Sequence, residues 1–323
     1  MRVLQFIGVC VAALAIAGCG AELAATKQKA ESGDATAQAK LAQMYAEGKG
    51  VPRDYAEAMK WGRLAADQGN ARAQFMLGAM YDFGEGVPQD DAEAVKWYRS
   101  AADQGLAIAQ FNLGFMYDTG QGVPKDDAEA MKWFRLAAGQ GLAEAQTSLG
   151  AMYSNGTGVP RDDAEAWKWY RLAADQGHAE AQFNLGVIYE NGTGVPQDYA
   201  EAVKLYRLAA DRGYATAQYN LGGMYYRGRG VPKDDAKAMK WFRLAADQGL
   251  AEALIGLGSM YYRGDGVPKD FIEAYAWWFI GAAGGYENGV LNRDMLTGQL
   301  TPSQLSQGKK RAAELQKKIG SGR

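Results

Sequence analysis

Few residues of this 323-residue sequence have the types and spacing that catalysis requires. Ser306 and Lys309 lie in a Ser-Gln-Gly-Lys stretch, which matches the S-x-x-K arrangement of penicillin-recognising enzymes. The match is weak, because one such stretch is expected by chance and no Lys-Thr-Gly triplet follows it. The single histidine, His178, occupies a position that no recurring triad uses. We therefore expect the protein not to be an enzyme, and a β-lactam hydrolase is the least favoured function considered below.

Metal, cofactor and nucleic-acid chemistry have little material in this composition. One histidine and two cysteines are too few ligands for a zinc, haem or iron–sulfur site, and no P-loop or dinucleotide-binding fingerprint occurs. The 35 basic and 37 acidic side chains leave a net charge of −2, without the basic patch that a nucleic-acid-binding protein carries. We expect no metal, no cofactor and no nucleic-acid partner.

An aspartate and a glutamate three residues apart recur along the chain, and such a pair could perform acid–base chemistry. The pairs are Asp54/Glu57, Asp90/Glu93, Asp126/Glu129, Asp162/Glu165, Asp198/Glu201 and Asp270/Glu273. In the remaining copy, Asp234 is followed by Lys237 instead of a glutamate. So many copies of a catalytic dyad would have no use, whereas the same spacing forms a capping box at a helix N-terminus. The pattern therefore predicts recurring helix starts.

The prolines show that the chain is built from one repeated unit. Seven of the eight prolines follow a Gly-Val pair at a constant spacing of 36 residues, at positions 52, 88, 124, 160, 196, 232 and 268. In the third copy, Leu113 and Met116 share one face of a helix predicted over about 107–118. A second helix is predicted over 126–141, after the Gly-Val-Pro turn. Each unit is therefore predicted to be a helical hairpin.

A row of indoles recurs in the second helix of the unit. Its members are Trp61, Trp97, Trp133, Trp169, Trp241 and Trp277, and Leu205 takes the same position in one copy. Such a row could be a stacking platform for sugars or bases. We favour a core position, because the row shares one helical stripe with alanines that are present in every copy.

The repeated pattern resembles the Sel1-like repeat family, which is related to the tetratricopeptide repeats. The resemblance rests on A-x-A-Q-x-x-L-G-x-M-Y-x-x-G-x-G-V-P, then D-x-A-E-A-x-K-W-Y/F-R-L-A-A-x-Q-G, read from Ala107 through Gly141. It implies an all-α fold, a right-handed α/α solenoid of about seven 36-residue repeats with terminal capping helices. It also implies an adaptor that binds proteins. Some extracellular relatives are penicillin-binding or hydrolyse β-lactams, but they carry a cysteine pair in each repeat, which this chain lacks.

The N-terminus is predicted to be a processing segment. Residues 1–18 have a short basic start and an apolar run of fifteen residues, which is too short to span a bilayer. The run ends in Ile16-Ala17-Gly18-Cys19, which resembles the lipobox of bacterial lipoproteins and implies lipidation of Cys19. An ordinary signal peptide or an uncleaved anchor is the alternative. We expect an exported protein held by acyl chains at the periplasmic side of the outer membrane, or at the cell surface in a Gram-positive organism.

The expected domain organisation follows from these segments. After the signal peptide, residues 19–32 should form an N-terminal capping helix, 33–284 the seven repeats, and 285–323 a partial repeat with a basic capping helix. The basic residues of the last helix are Lys309, Lys310, Arg311, Lys317 and Lys318. A solvated face is the favoured interpretation of this charge, and contact with anionic lipid or wall polymer is the alternative.

Recognition in a repeat protein is expected at positions that vary between otherwise identical units. The candidate binding residues are Phe75, Phe111, Asn112, Phe115, Phe183, Asn184, Tyr219, Asn220, Tyr226, Arg227, Tyr262 and Arg263. The aromatic row could equally pack between repeats, whereas a row of asparagines should contribute nothing to a core. The predicted function is a non-catalytic scaffold that binds a peptide or protein partner of the cell envelope in a concave groove. The alternative is a module that binds peptidoglycan or another glycan.

Overall fold

The computed structural model of the chain describes residues 22–321, so the predicted signal peptide and Cys19 lie outside the described residues. Seventeen helices and no strand occur in this range. The helices are α1 (residues 22–31), α2 (Ala35–Glu47), α3 (Tyr55–Asp67), α4 (Ala71–Phe83), α5 (Asp91–Asp103), α6 (Ala107–Thr119), α7 (Asp127–Gly139), α8 (Ala143–Asn155), α9 (Asp163–Asp175), α10 (Ala179–Asn191), α11 (Tyr199–Asp211), α12 (Ala215–Arg227), α13 (Asp235–Asp247), α14 (Ala251–Arg263), α15 (Phe271–Ala283), α16 (Glu287–Thr297) and α17 (Pro302–Ser321). The prediction of an all-α fold of two-helix repeats is confirmed.

The boundaries of each helix follow from local residues, as the third repeat shows. α6 ends at Gly120, which has a positive φ of 75° that glycine adopts without strain. Gly122 in the following turn also has a positive φ, and a Cβ there would clash with the carbonyl oxygen of Asp91. The turn therefore requires glycine for two reasons, backbone conformation and close packing on the preceding repeat.

The predicted capping box is only half formed. Asp126 accepts hydrogen bonds from the backbone N–H groups of Ala128 and Glu129, both at 3.0 Å. The reciprocal bond is absent, because the backbone N–H of Asp126 donates to the carbonyl oxygen of Tyr117 at 2.9 Å. The Glu129 carboxylate instead accepts from Lys132 on the exposed face. The capping prediction was therefore right for the aspartates and wrong for the glutamates, since the preceding helix takes the N–H that they would have bonded.

The core of each repeat forms where a second-helix aromatic ring lies on a first-helix glycine. A Cβ added to Gly78 would come within 2.6 Å of the Tyr98 ring, and one added to Gly186 within 2.7 Å of the Tyr206 ring. The indole row is buried at three positions and partly buried at the other three, with Trp277 fully enclosed. The core interpretation of the indoles agrees with this burial.

A ladder of buried glutamines joins neighbouring repeats, a feature that the sequence analysis did not identify. Gln74 donates to the carbonyl oxygen of Ala66 at 3.1 Å and accepts from Gln104 of the second helix at 2.7 Å. The same pairing recurs at Gln38/Gln68, Gln110/Gln140 and Gln218/Gln248. Arg212 replaces the donor in one repeat, and the Oε1 atom of Gln182 is there buried without a partner.

The described residues form two compact units, the first ending at Arg161 and the second beginning at Asp162. Within each unit, helices pack mainly on their neighbours in sequence, as expected of an α/α solenoid. At the C-terminus, α17 packs on α15 and buries Ala312 and Leu315 beside Trp277 and Ile280. Between residues 22 and 321, no helix is both long and apolar enough to cross a membrane.

Candidate functional site

A groove with a cavity of about 510 Å³ opens in the second unit. First helices α10, α12, α14 and α16 form its walls, and the rings of Tyr206 and Phe242 from the second helices lie beneath them. Its volume falls within the range of about 300–1,000 Å³ that ligand pockets occupy. Five of the candidate binding residues line this groove, namely Tyr219, Asn220, Tyr226, Arg227 and Arg263.

The floor of the groove is fixed by a buried tyrosine. The Tyr206 hydroxyl donates to Glu190 at 2.7 Å. Burial raises the pKa of Tyr206 well above its usual value, its hydrogen bond to Glu190 raises it further, and a hydrogen bond with Asn220 opposes the rise. Glu190 also lies 3.9 Å from Arg229. The charge of Glu190 is therefore already engaged within the protein.

Two arginines dominate the end of the groove at which α12 and α14 terminate. Arg263 donates to the Tyr226 hydroxyl at 3.0 Å, and that hydroxyl donates to Asp265 at 2.8 Å, so this guanidinium is held in place. Arg227 is exposed at the equivalent position one repeat earlier. Within residues 22–319, neither arginine forms an ion pair with a carboxylate. Asp265 therefore lies one hydroxyl away from Arg263, whereas no carboxylate pairs with Arg227, so this end of the groove presents two positive charges and only one nearby carboxylate.

The opposite end of the groove is acidic. Burial raises the pKa of Tyr219, the charge of Arg227 opposes the rise, and the charge of Glu252 adds to it. Glu252 lies in the first turn of α14 and Arg263 at its last residue. The backbone positions of the two residues are thus about 16.5 Å apart along the helix axis, at 1.5 Å per residue. The groove has a positive and a negative end.

Comparison with known proteins identifies the repeat. The Sel1 repeat matches the chain seven times, at residues 35–70, 71–106, 107–142, 143–178, 179–214, 215–250 and 251–286. The chain belongs to the Sel1 repeat family. Sel1 repeat proteins generally mediate protein–protein interaction and generally act as non-catalytic scaffolds.

A solved structure gives the same assignment. The chain is 38% identical to a Sel1 repeat protein from Oxalobacter formigenes, over 85% of this chain and 79% of that one, with a TM-score of 0.70. It is 30% identical to a protective antigen present in uropathogenic Escherichia coli strains that displays the SLR fold, over 92% and 95% of the two chains, with a TM-score of 0.48. Among curated proteins, no sequence matches the chain at a significant level.

The aromatic row of this Sel1 repeat protein packs within repeats. Phe75 lies 5.7 Å from Tyr98 between ring centroids, and Tyr219 lies 5.3 Å from Phe242. Phe111 and Phe183 make equivalent contacts with Phe134 and Tyr206. All four rings of the row are only partly buried. Each therefore contributes one face to its own repeat and retains an accessible part.

The argument that the asparagines contribute nothing to the core was wrong for two of them. Asn112 is hydrogen-bonded to the buried Tyr98 hydroxyl, as Asn220 is to Tyr206. The sequence carries a signal for this role, because every second-helix tyrosine of this position is followed by an asparagine fourteen residues later, at Tyr98/Asn112, Tyr170/Asn184 and Tyr206/Asn220. Asn112 and Asn220 therefore bond to buried hydroxyls, and Asn220 also lines the groove.

The remaining sequence candidates lie outside the groove. Phe115 is 46% exposed on α6 of the first unit. Tyr262 packs on Trp278 and Phe271 at centroid distances of 5.5 and 5.4 Å, and does not line the groove. Ser306 and Lys309 are exposed on α17 and do not line it either. The variable aromatic and arginine positions therefore divide between different surfaces.

Proposed function

We propose that this Sel1 repeat protein is a non-catalytic scaffold that binds a peptide segment of a protein partner in the second-unit groove. The observation that supports this proposal is the concentration of Tyr219, Tyr226, Arg227 and Arg263 around one open cavity. Tyrosine and arginine are enriched among the residues that dominate the energetics of protein interfaces. Their positions vary between repeats, so the fold does not require them.

A peptidoglycan or other glycan strand is the second candidate ligand. The asparagines Asn191 and Asn288 at the rim supply the amides that such a ligand would bond. Against it, Tyr219 packs on Phe242 and Asn220 bonds to Tyr206, so part of the aromatic and amide surface is already used. A protein partner is therefore favoured.

The scaffold is further proposed to act outside the cytoplasm, anchored through acyl chains on Cys19. The lipobox-like sequence before Cys19 supports this location, and several acyl chains give stable membrane attachment. Incorporation of labelled palmitate into the wild-type protein, and its loss in Cys19→Ala, would support the anchor. Equal labelling of both proteins would contradict it.

A pair of matched variants tests the proposed binding site. Ser259 lines the groove, so Ser259→Trp should fill it and abolish capture of the partner from detergent-solubilised envelope. Ser306→Trp on the exposed face of α17 is the control and should behave as wild type. Sedimentation with purified peptidoglycan examines the glycan alternative. If the wild-type protein co-sediments with peptidoglycan and Ser259→Trp does not, the ligand of the groove is the wall polymer and the proposal of a protein partner is wrong.

A further inference from the structure

The second-unit groove exists because two of its positions lack side chains. Gly223 and Gly256 lie within α12 and α14 and line the cavity. Neither belongs to a glycine position of the repeat. The equivalents of Gly223 are Gln43, Ala79, Phe115, Ala151, Val187 and Ser259. The equivalents of Gly256 are Lys40, Met76, Asn112, Ser148, Asn184 and Asn220.

Packing within the fold does not explain these two glycines. A Cβ on Gly222, which is a repeat glycine, would lie 2.7 Å from the Phe242 ring, whereas a Cβ on Gly256 would find no atom nearer than 3.8 Å. A Cβ on Gly223 would meet only the flexible end of Arg227, at 3.1 Å. Glycine within a helix is destabilising relative to alanine. The fold therefore loses stability at two positions, and it gains open space at Gly256 and room for the end of the Arg227 side chain at Gly223.

The surroundings of that space define what would fill it. Phe242, Ile255 and Met260 supply an apolar lining next to Gly256. A large apolar side chain would replace water there with favourable burial. Arg227 and Arg263 border the same cavity, and within residues 22–319 neither forms a direct ion pair, although Asp265 lies beyond the Tyr226 hydroxyl that Arg263 bonds. An acidic side chain beside the apolar one would supply the direct ion pair that both guanidinium groups lack.

The acidic residues of the groove do not cancel this preference. Glu190 is bonded to Tyr206 and lies near Arg229. Glu252 lies at the far end of α14 from Arg263. A carboxylate of the partner is therefore attracted to the end of the groove at Arg227 and Arg263 and repelled from the end at Glu252.

From these contacts we propose that the groove receives an internal segment of a partner protein in which a large apolar residue is adjacent to aspartate or glutamate. The apolar side chain occupies the space left by Gly256 beside Phe242, and the carboxylate pairs with Arg263 and with Arg227, whose side chain lies over Gly223. This inference rests on the proposed function, since it specifies the partner of the same groove.

The test uses the purified mature chain with the substitution Cys19→Ser, so that no acyl chain is present. Its binding is measured on an array of short peptides of random sequence whose C-termini are amidated. Bound peptides should be enriched in Asp or Glu next to Leu, Phe, Tyr or Trp. Arg227→Gln with Arg263→Gln should weaken binding of those peptides at least about tenfold. Lys309→Gln with Lys310→Gln removes the same charge from exposed positions of α17 and should leave binding unchanged.

The other outcomes separate this inference from the proposed function. Peptides selected without acidic enrichment, or binding insensitive to the arginine substitutions, would overturn the inference and leave peptide binding in the groove intact. Gly256→Leu fills open space and should abolish binding while retaining the melting temperature. Unchanged peptide binding in Gly256→Leu, or no peptide binding by the wild type, would overturn both. A parallel array carries the same peptides with free C-terminal carboxylates. Selective binding to that array would show that the groove receives a C-terminus, and it would overturn the inference of an internal segment.

Discussion

The first helices of the two units present different surfaces at equivalent backbone positions. In the first unit, Phe83 is 73% exposed and Phe115 is 46% exposed, so apolar rings face the solvent. In the second unit, Arg227 stands at the position of Phe83, and Gly223 at the position of Phe115. The second helices α7 and α13 both have 13 residues and both begin at a capping aspartate. The repeat therefore determines where a side chain stands, and the variable residue alone determines the chemistry of the surface.

The same contrast extends into the core. Phe134 of the first unit and Phe242 of the second occupy equivalent positions, and their exposed fractions are 2% and 6%. Ser148 follows the first ring at the position where Gly256 follows the second. The groove is thus open where side chains are absent beside a core ring, while the backbone pattern is that of the other repeats. Loss of packing in the second unit is the structural cost of an open site.

The largest expected effect comes from truncating these core rings. Phe134→Ala should lower the free energy of unfolding by about 3–5 kcal/mol, because it leaves an enclosed cavity. Phe242→Ala should cost less, since its ring already borders the groove. Urea denaturation with hydrogen exchange at α6 and α12 would measure the loss in each unit. Equal losses of unfolding free energy in the two variants would contradict the prediction, since they would show that Phe242 is enclosed as fully as Phe134.

The glutamine ladder provides a second comparison. Gln104→Arg in the first unit should destabilise by about 1–3 kcal/mol, because it leaves the Oε1 atom of Gln74 buried without a partner. Arg212→Gln in the second unit should stabilise by about 1 kcal/mol, since it supplies the missing donor to Gln182. Thermal melts of both variants measure the shifts. A melting temperature lowered by Arg212→Gln would contradict the ladder as a source of stability.

Gly256 should respond to substitution in the opposite direction from the repeat glycine beside the same ring. Gly256→Ala should stabilise α14 by about 0.5–1 kcal/mol, because its Cβ enters open space. Gly222→Ala should destabilise, since its Cβ would lie 2.7 Å from Phe242. Urea denaturation of the two variants compares them directly. Destabilisation by both would mean that the groove is more closely packed than its geometry indicates.

The fold was predictable from the sequence because its determinants are local and repeated. The Gly-Val-Pro turns, the capping aspartates and the spacing of Leu113 and Met116 each act within one hairpin. The glutamate half of the capping box was not predictable in this way. The N–H that Glu129 would have bonded is taken by Tyr117 of the preceding helix, and that competition exists only after the hairpin has formed.

The candidate site was predictable only in part, since exposure depends on neighbouring repeats. Arg227 and Tyr226 were identified as variable residues and line the groove. Gly223 and Gly256 were not identified as site residues. A glycine in the sequence does not show whether a neighbouring side chain fills the space beside it. Asn112 shows the converse, since its bond to Tyr98 becomes visible only when adjacent repeats are packed together.

The smallest expected effect is at the exposed ring of the first unit. Phe83→Ser should change the free energy of unfolding by no more than about 0.5 kcal/mol, because the side chain is 73% exposed and few contacts are lost. Phe111→Ser is the matched control in the same unit, and it should cost clearly more because that ring packs on Phe134 at a centroid distance of 5.7 Å. Thermal melts compare the two. A loss of stability in Phe83→Ser as large as that in Phe111→Ser would place Phe83 in the core and remove the surface contrast between the units. An unchanged melting temperature in Phe83→Ser would show that the exposed aromatic ring does not stabilise the fold.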